Sequence, residues 1–235
     1  MTPRRGRLVA FEGVDGSGKS TQARILATTI GAVLTFEPGA TGLGSALRHL
    51  LLDPGHPEPE VRAEALLMAA DRAQHVAEVI RPALEEGRAV VTDRFSGSTL
   101  AYQGYGRGLP VGELSQLVAW ATGGVEPDLT VVVDVPLAVA RRRLERGAAD
   151  RLERGAADRL ERGAADRLVK RSADRLERLD VRFFSRVRDG YLELAGADPL
   201  RWSVVDGDAD VDSVAAAVRQ AVEQRLGDVF DEERS

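Results

Sequence analysis

Short apolar runs alternate with longer amphipathic stretches along the 235 residues. The short runs are rich in β-branched residues, which is typical of buried strands, and the longer stretches carry apolar residues at helical spacing. The predicted strands are Leu8–Phe11, Ala32–Thr35, Ala89–Thr92, Leu129–Val135 and Trp202–Val205. The predicted helices are Ser20–Ile30, Leu43–Leu52, Val61–Glu86, Val111–Ala121, Leu137–Arg146 and Val211–Leu226. This alternation predicts an α/β fold, a five-stranded parallel sheet with helices on both faces.

The connection between the first strand and the first helix carries the most specific motif. Gly13 and Gly18, followed by Lys19 and Ser20, match the pattern G-x-x-x-x-G-K-[ST]. Glycines in such a loop let backbone N–H groups surround a phosphate chain at the start of a helix. The predicted nucleotide-binding residues are Gly13, Asp15, Gly16, Ser17, Gly18, Lys19, Ser20 and Thr21. Within this set we expect Lys19 to reach the β- and γ-phosphates and Ser20 to hold Mg²⁺.

Further candidates follow the other strands, because ligands of parallel sheets gather beyond the carboxyl ends of the strands. Residues 36–41 follow the second strand, and residues 93–104 follow the third. The pair Asp93-Arg94 could be a local surface ion pair, but its place beside the phosphate loop favours a ligand role. In the preceding helix, Met68, Arg72 and His75 share one face. Their spacing alone equally allows an Arg72 that extends into solvent.

Residues 145–176 form an eight-residue tandem repeat. Three copies begin at Glu145, Glu153 and Glu161, and a diverged fourth begins at Val169. Successive copies rotate by about 80° around a helix, so their leucines form no continuous stripe, which argues against a coiled coil. Favourable ion pairs, about 0.2–0.5 kcal/mol each, do not clearly outweigh one helix-opposing glycine per copy at about 1 kcal/mol. We expect an exposed, partly helical and mobile segment.

Composition excludes several classes of protein. The net charge of −5 predicts neither a nucleic-acid nor an anionic-membrane surface, and no apolar run is long enough to span a membrane. The absence of cysteine excludes disulfides and thiolate chemistry. The three histidines are scattered along the sequence, so we do not expect a metal site built from histidines. The basic N-terminus lacks the apolar core of a signal peptide, so we expect a soluble, cytoplasmic protein. The only two lysines are Lys19 and Lys170 among abundant arginines, which fits a chemical need for an ammonium group at the phosphate loop.

Together these segments resemble the motifs of the thymidylate kinase family, from Arg7 to about Gly207. The resemblance is carried by Phe11–Thr21, Glu37–Thr41, Ala70–Gln74, residues 93–104, Asp174–Glu177, Phe183-Phe184 and Tyr191–Leu194. It implies a single kinase domain over residues 1–235 with a lid at 145–180 that contains the repeat. It further implies phosphorylation of dTMP by ATP with Mg²⁺, and a homodimer.

The resemblance also implies roles for single residues. Arg94 would hold the acceptor phosphate, Asp93 would lie near the metal, and Asp15 would meet the deoxyribose 3′-hydroxyl. Arg72 would contact thymine O4, and Tyr102 would crowd the 2′ position. The remaining substrate-binding residues are Glu37, Pro38, Ser98, Thr99 and Gln103. Gly16 stands where some members place a catalytic arginine, so the charge is expected from the lid: Arg171 and Arg175, accompanied by Asp174 and Glu177.

Two positions depart from the family pattern. Phe36 stands where an arginine often touches the acceptor phosphate, which leaves Arg48 or Arg94 alone to do so. Met68 stands where an aromatic side chain stacks on the base, and its polarizable sulfur is a less rigid support. Both changes predict a higher dTMP KM or looser base choice. For adenine contacts the sequence offers Arg141 and Asp206.

Two other functions stay open at this point. One is a related kinase for dUMP or UMP, since uracil differs from thymine by one methyl, a difference of about 1–3 kcal/mol. The other is a phosphate-loop switch that binds nucleotide to control a partner, with the repeat as its docking arm.

Overall fold

The computed structural model describes residues 5–53, 55–147 and 180–227. Its strands are β1 (Leu8–Glu12), β2 (Val33–Phe36), β3 (Val90–Asp93), β4 (Leu129–Asp134) and β5 (Trp202–Asp206). They form one parallel sheet in the order β2-β3-β1-β4-β5. The predicted sheet is therefore confirmed, with each boundary within about one residue of its predicted place.

Helices cover both faces of the sheet. They are α1 (Lys19–Thr29), α2 (Gly42–Leu52), α3 (Val61–His75), α4 (Arg81–Glu85), α5 (Ser96–Thr99), α6 (Val111–Thr122), α7 (residues 137–147), α8 (Val181–Ala197) and α9 (Val211–Leu226). A π-helical turn at Val76–Ile80 joins α3 to α4, so the predicted helix over 61–86 is one run with a wider turn inside it. A second π-helical turn, Leu100–Gly106, continues α5.

The sequence did not predict α5 with its π turn, or α8. Gly97, Gly104 and Gly106 lower the helix propensity of the first segment, which tertiary packing overrides. α8 follows the repeat directly, yet it has a local signal: Asp180 caps its first turn by accepting a hydrogen bond from the Phe183 N–H at 2.7 Å. None of the described helices is long and apolar enough to cross a membrane.

The hydrophobic core lies on both faces of the sheet, because successive side chains of a strand point to opposite faces. In β1, Val9 and Phe11 pack with α1 and α9, whereas Leu8 and Ala10 pack with α4 and the π turn before it. A third cluster joins α2 to α8 and to the second π turn. Because both faces are covered, the central strands β1, β3 and β4 are buried along nearly their whole length and are mostly apolar, whereas the edge strands β2 and β5 are partly exposed. Parallel pairing then places the ends of β1, β3 and β4 side by side, where the site lies.

Candidate active site

The phosphate loop runs from the end of β1 to the start of α1. Gly16 has a φ of 82°, and a Cβ there would lie 2.3 Å from the backbone oxygen of Ala140 in α7, so only glycine fits. Gly18 precedes α1 in a left-handed conformation, and no side chain caps the helix. The first turn of α1 contains no acidic residue. This uncapped, positive end of a helix suits the oxygens of a phosphate chain.

Lys19 lies beside this loop with only 5% of its surface exposed. Its Nζ is 3.3 Å from Asp15 Oδ1 and donates to the Val14 carbonyl at 3.4 Å. Both contacts are long for hydrogen bonds of an ammonium group. The Lys19 ammonium group is therefore held near the loop by weak hydrogen bonds, which a phosphate oxygen can replace.

Arg94 joins the loop to the next strand end. Its backbone φ is 74°, a left-handed conformation that is uncommon for arginine. Nη2 donates to Asp15 Oδ1 at 2.6 Å and to the Tyr102 hydroxyl at 3.1 Å. The other terminal nitrogen donates to Ser98 Oγ at 3.0 Å, the Gly13 carbonyl at 3.2 Å and the Tyr191 hydroxyl at 3.2 Å. Arg94 forms its ion pair with Asp15 and not with the adjacent Asp93, so the alternative of a local Asp93–Arg94 surface pair is wrong.

The electrostatics of this pair favour charge on both partners. Burial by itself would raise the pKa of Asp15, but the positive charges of Arg94 and Lys19 outweigh it and hold the pKa well below its usual range. Burial would likewise lower the pKa of Arg94, but the Asp15 carboxylate raises it above its usual range. Tyr102 donates its hydroxyl to Asp15 Oδ2 at 3.0 Å. The site thus contains a fixed cation whose anionic partner belongs to the phosphate loop.

Glu12, which sequence reasoning missed, shares two hydrogen-bond partners with Arg94, the hydroxyls of Ser98 and Tyr191. It is fully buried, and its Oε1 accepts hydrogen bonds from the backbone N–H groups of Phe95 at 3.0 Å and Ser98 at 2.9 Å. Its Oε2 accepts from the Ser98 hydroxyl at 2.6 Å and the Tyr191 hydroxyl at 2.9 Å. Burial raises its pKa, opposed by the charge of Arg94. The only signal in the sequence was a carboxylate inside an apolar strand.

We expect Glu12→Ala to lower the free energy of unfolding by about 3 kcal/mol or more. The alanine removes the Glu12 acceptor from the buried Phe95 N–H and from the Ser98 and Tyr191 hydroxyls, whereas the Ser98 N–H keeps its bond to the Phe95 carbonyl at 3.1 Å. A buried polar group left without a partner costs about 1–3 kcal/mol. Glu12→Gln keeps an acceptor oxygen for the Phe95 N–H, so its loss should be smaller. Urea denaturation of the three proteins measures the difference. Equal stability of the alanine and glutamine variants would contradict the supporting role.

A second buried network lies at the end of β2. Arg72 is 2% exposed, and its guanidinium donates to Glu37 Oε2 at 2.9 Å, Thr99 Oγ1 at 2.8 Å and the Phe95 carbonyl at 2.8 Å. His75 Nδ1 lies 2.8 Å from Glu37 Oε1. The possibility of a solvent-directed Arg72 is therefore wrong. Met68, Arg72 and His75 share the inward face of α3, as their spacing indicated.

One cleft contains most of the predicted substrate-binding residues. It is lined by Asp15, Glu37, Pro38, Arg48, Leu52, Met68, Asp71, Arg72, Arg94, Ser98, Thr99, Tyr102 and Gln103. Gln103 is buried and donates to Glu64 Oε1 at 2.9 Å. Leu52 and Asp71 were not predicted. Asp15 and Arg94 contribute charged surface to the cleft, whereas Leu52 and Met68 contribute apolar surface.

Asp71 lies in the cleft wall next to Glu37. Its Oδ1 accepts a hydrogen bond from the Gly39 N–H at 3.0 Å. Burial, and after it the charge of Glu37, raise its pKa from 3.8 to about 6. Between these two pH values the folded protein binds more protons than the unfolded chain, so Asp71 makes stability fall as the pH rises.

We therefore expect Asp71→Asn to stabilise the protein in a pH-dependent way. The asparagine can still accept from Gly39 but carries no charge. At about 1.4 kcal/mol per pKa unit, the gain should reach about 2–3 kcal/mol above pH 6 and vanish below pH 4. Denaturant titrations across this range measure it. A gain that does not depend on pH would contradict the assignment of the shift to Asp71.

Comparisons with known proteins show that the chain is similar to thymidylate kinases. The family model described as thymidylate kinase matches residues 11–162. A thymidylate kinase of Desulforudis audaxviator is 42% identical over 229 residues, which cover 95% of this chain and 93% of the relative. One of Desulfovibrio desulfuricans is 46% identical over 223 residues, covering 93% and 95%. The chain belongs to the thymidylate kinase family.

A solved structure agrees with this membership. The crystal structure of thymidylate kinase from Ehrlichia chaffeensis matches with a TM-score of 0.68 and 29% identity, covering 93% of this chain and 99% of that one. The chain is thus a kinase with the phosphate-loop nucleoside-monophosphate kinase fold, and the resemblance seen in its motifs is confirmed. Family membership implies ATP as the phosphoryl donor.

The two residues that depart from the family pattern, Phe36 and Met68, differ in their position relative to the cleft. Phe36, at the end of β2, is 45% exposed and is not among the described residues that line the cleft. Arg48 does line it, and donates to the Pro38 carbonyl at 2.7 Å. Arg48 and Arg94, the two candidates for the role of the family arginine that Phe36 replaces, therefore both line the cleft. Met68 is partly buried in the cleft wall, where a base can reach it.

The residues predicted for adenine do not come together at the loop. Arg141 is largely exposed and pairs with Glu145, and Asp206 is exposed. Arg143 instead joins the phosphate loop to the end of β5, donating to the Ser17 carbonyl at 3.1 Å and the Gly207 carbonyl at 2.9 Å. The sequence could not single it out, because three arginines stand in a row at 141–143.

Two residues near the phosphate loop have side-chain oxygens suited to a divalent cation: Asp93 at the end of β3, paired with Phe11 of β1, and Ser20 in the first turn of α1. Asp93 Oδ1 is buried and has no hydrogen-bond partner among the described residues. Ser20 lies exposed on the first turn of α1. Carboxylate and hydroxyl oxygens are ligands that Mg²⁺ prefers, so these residues fit the predicted ion. The lid residues Arg171, Asp174, Arg175 and Glu177 lie outside the described residues.

Proposed function

We propose that this chain transfers the terminal phosphoryl group of ATP to dTMP, giving ADP and dTDP, with Mg²⁺. One observation carries the proposal: Arg94 lines the acceptor cleft and at the same time bonds Asp15 and the Gly13 carbonyl of the phosphate loop. The donor and acceptor sites therefore share a wall, which places two phosphates against one set of cations. This function is favoured over a phosphate-loop switch, which would have no use for a second nucleotide cleft.

The chemistry asks for positioning more than for a base. The second pKa of a phosphate monoester is near about 6, so the acceptor is already largely dianionic at neutral pH. What remains is to bring two anions together and to spread the charge of the transferring group. Lys19 and Arg94 supply two fixed cations for this purpose. Mg²⁺, held by Ser20 and Asp93, would neutralise charge on the donor phosphates.

Base selection rests on the Arg72 network. Three of the five guanidinium N–H groups are used by Glu37, Thr99 and Phe95 within the described residues. We assign the remaining N–H donors of Arg72 to a carbonyl oxygen of the pyrimidine. A base that carries an amino group at that position is rejected, because the guanidinium has no acceptor for it. Met68 supports the ring and offers an apolar contact to the thymine methyl. Tyr102 is held by Asp15 and Arg94, which supports the proposal that its ring excludes a 2′-hydroxyl.

The additional charge for the transition state is assigned to the lid. An arginine at position 16 is excluded by the backbone of Ala140, as shown by the 2.3 Å approach at Gly16. Arg171 and Arg175, with the acids Asp174 and Glu177, are proposed to fill this role when the 145–180 segment covers the nucleotide. The domain as a whole, residues 1–235, would then act as one kinase unit.

The decisive experiment is an ADP-release assay with ATP and Mg²⁺ across dTMP, dUMP, UMP, CMP, AMP and GMP. We expect turnover of dTMP to exceed that of every other acceptor. Equal turnover of UMP would overturn the selectivity while leaving the kinase assignment intact. Slow hydrolysis that no acceptor accelerates would overturn the kinase assignment in favour of the switch.

The protein is proposed to act as a homodimer. α3 packs against both α2 and α6, and these neighbouring helices expose Leu43 and Leu50 (α2), Leu66 (α3) and Trp120 (α6), the last with 82% of its surface accessible. Large apolar side chains exposed together are typical of protein interfaces. We expect Trp120→Glu to convert a dimer into a monomer in light-scattering measurements of mass. A wild-type protein that is monomeric at micromolar concentration would refute the dimer.

A further inference from the structure

Two of the three histidines meet at the end of α2. His49 lies in the last turn of the helix, Asp53 follows it directly, and His56 stands in the next turn of the chain. The Nε2 atom of His49 is 3.5 Å from Asp53 Oδ2, and the two imidazole rings lie 5.2 Å apart, centre to centre. One ligand atom from each of the three side chains lies within 4.8 Å of the others. The expectation of scattered histidines is therefore wrong for this pair.

The local backbone explains why the three groups converge. The His56 N–H donates to the Asp53 carbonyl at 3.1 Å, which turns the chain back toward the helix. The Gly55 N–H donates to Asp53 Oδ1 at 2.8 Å. One carboxylate oxygen thus shapes the turn, and the other faces His49. The carbonyls at the C-terminal end of α2 add a potential that favours a cation.

No other imidazole in the chain is available for such a role. His75, the third histidine, is fully buried, and its ring nitrogens contact Glu37 Oε1 at 2.8 Å and Thr35 Oγ1 at 2.6 Å. The chain contains no cysteine. His49 and His56 are therefore the two imidazoles open to a metal that prefers nitrogen ligands.

Two imidazoles and one carboxylate form a ligand set that discriminates between metals. Imidazole nitrogen suits Zn²⁺ and its first-row neighbours, whereas Mg²⁺ prefers oxygen ligands in a strict octahedron. Bond lengths of about 2.0–2.2 Å require the ligand atoms to approach to roughly 3.4 Å. The side chains of His49 and Asp53 are 67% and 37% exposed, so small rotations can close the present gap. Three protein ligands leave a fourth position for water.

We propose that His49, Asp53 and His56 form a binding site for Zn²⁺ or a similar divalent transition metal. The site is separate in chemistry from the Mg²⁺ position at Ser20 and Asp93. Its occupation would tie the end of α2 to the following turn, and α2 carries Arg48 and Leu52 into the substrate cleft. Because the metal binds the folded chain, it should also raise the melting temperature.

The test is calorimetric titration of untagged, chelator-treated full-length protein with ZnCl₂ in the presence of excess Mg²⁺. We expect one Zn²⁺ per chain and a higher melting temperature with Zn²⁺. Asp53→Asn preserves the acceptor for Gly55, so a weakened affinity in this variant reports on ligation and not on the turn. Loss of an outer-shell partner alone costs about 10–100-fold in affinity, so removal of a direct ligand should cost at least about 10-fold.

The double variant His49→Gln/His56→Gln should abolish the binding, and Asp208→Asn, at an exposed carboxylate elsewhere, should leave it unchanged. Absence of stoichiometric binding, its persistence in the double variant, or full competition by Mg²⁺ would each overturn the proposal. The readout is metal binding and thermal stability, so any of these results leaves the phosphoryl-transfer function untouched.

Discussion

Replacement of Lys19 by alanine is expected to lower kcat by at least about 10³-fold. Removing one preorganised donor from a site of developing negative charge typically costs about 10²–10³ in kcat, and loss of a full cation costs more. Lys19 is nearly buried, and its ordered contacts within the described residues are long ones to Asp15 and Val14. Its ammonium group is therefore positioned for a ligand more than for the fold.

The measurement is single-turnover phosphoryl transfer at saturating ATP and dTMP. Arg24→Ala removes an exposed cation from the same helix and serves as the matched control, with activity expected near that of the wild type. The melting temperature of the Lys19 variant should change little, because Asp15 keeps its bonds with Arg94 and Tyr102. A Lys19→Ala enzyme within ten-fold of wild-type kcat would refute the assignment.

Arg94→Lys is the second change with a large expected effect. The planar guanidinium of Arg94 spans Asp15 on one side and Ser98 on the other, and an ammonium group cannot serve both at once. Hydrogen bonds to charged groups contribute about 1.5–3 kcal/mol each. With two of them lost, kcat/KM for dTMP should fall by about 10²–10⁴-fold.

The pattern of kinetic changes separates this role from a structural one. KM for ATP should change less than kcat/KM for dTMP, because Arg94 lines the acceptor cleft. Arg88→Lys, at an exposed arginine paired with Glu86, is the matched control. Equal loss for both nucleotides, together with a large drop in melting temperature, would show that Arg94 holds the fold and not the acceptor.

Local signals in the sequence were enough for the sheet and the phosphate loop. Strands buried on both faces are mostly apolar, as in β1, β3 and β4, so their positions stand out without knowledge of their neighbours. The loop is encoded by contiguous residues whose special backbone angles only glycine tolerates, as at Gly16. Residue types at strand ends also identified most of the acceptor cleft, because parallel strands present their ends at one edge.

Packing decided what no local pattern encodes. Glu12 and Asp71 acquired their roles from backbone N–H groups that are distant in sequence, those of Phe95, Ser98 and Gly39. Arg143 was chosen among three adjacent arginines only because its side chain meets Ser17 and Gly207.

The amino-acid sequence alone thus determined the α/β architecture, the phosphate loop and the kinase family, since these depend on residue types at short spacing. The tertiary structure alone decided which charges pair, as with Arg94 and Asp15, and that His49 and His56 meet. The physical reason is that a hydrogen bond or ion pair forms only when two polar atoms lie about 3 Å apart, within a few tenths of an ångström. Such distances are set by the packing of whole elements and leave no periodic trace in the chain.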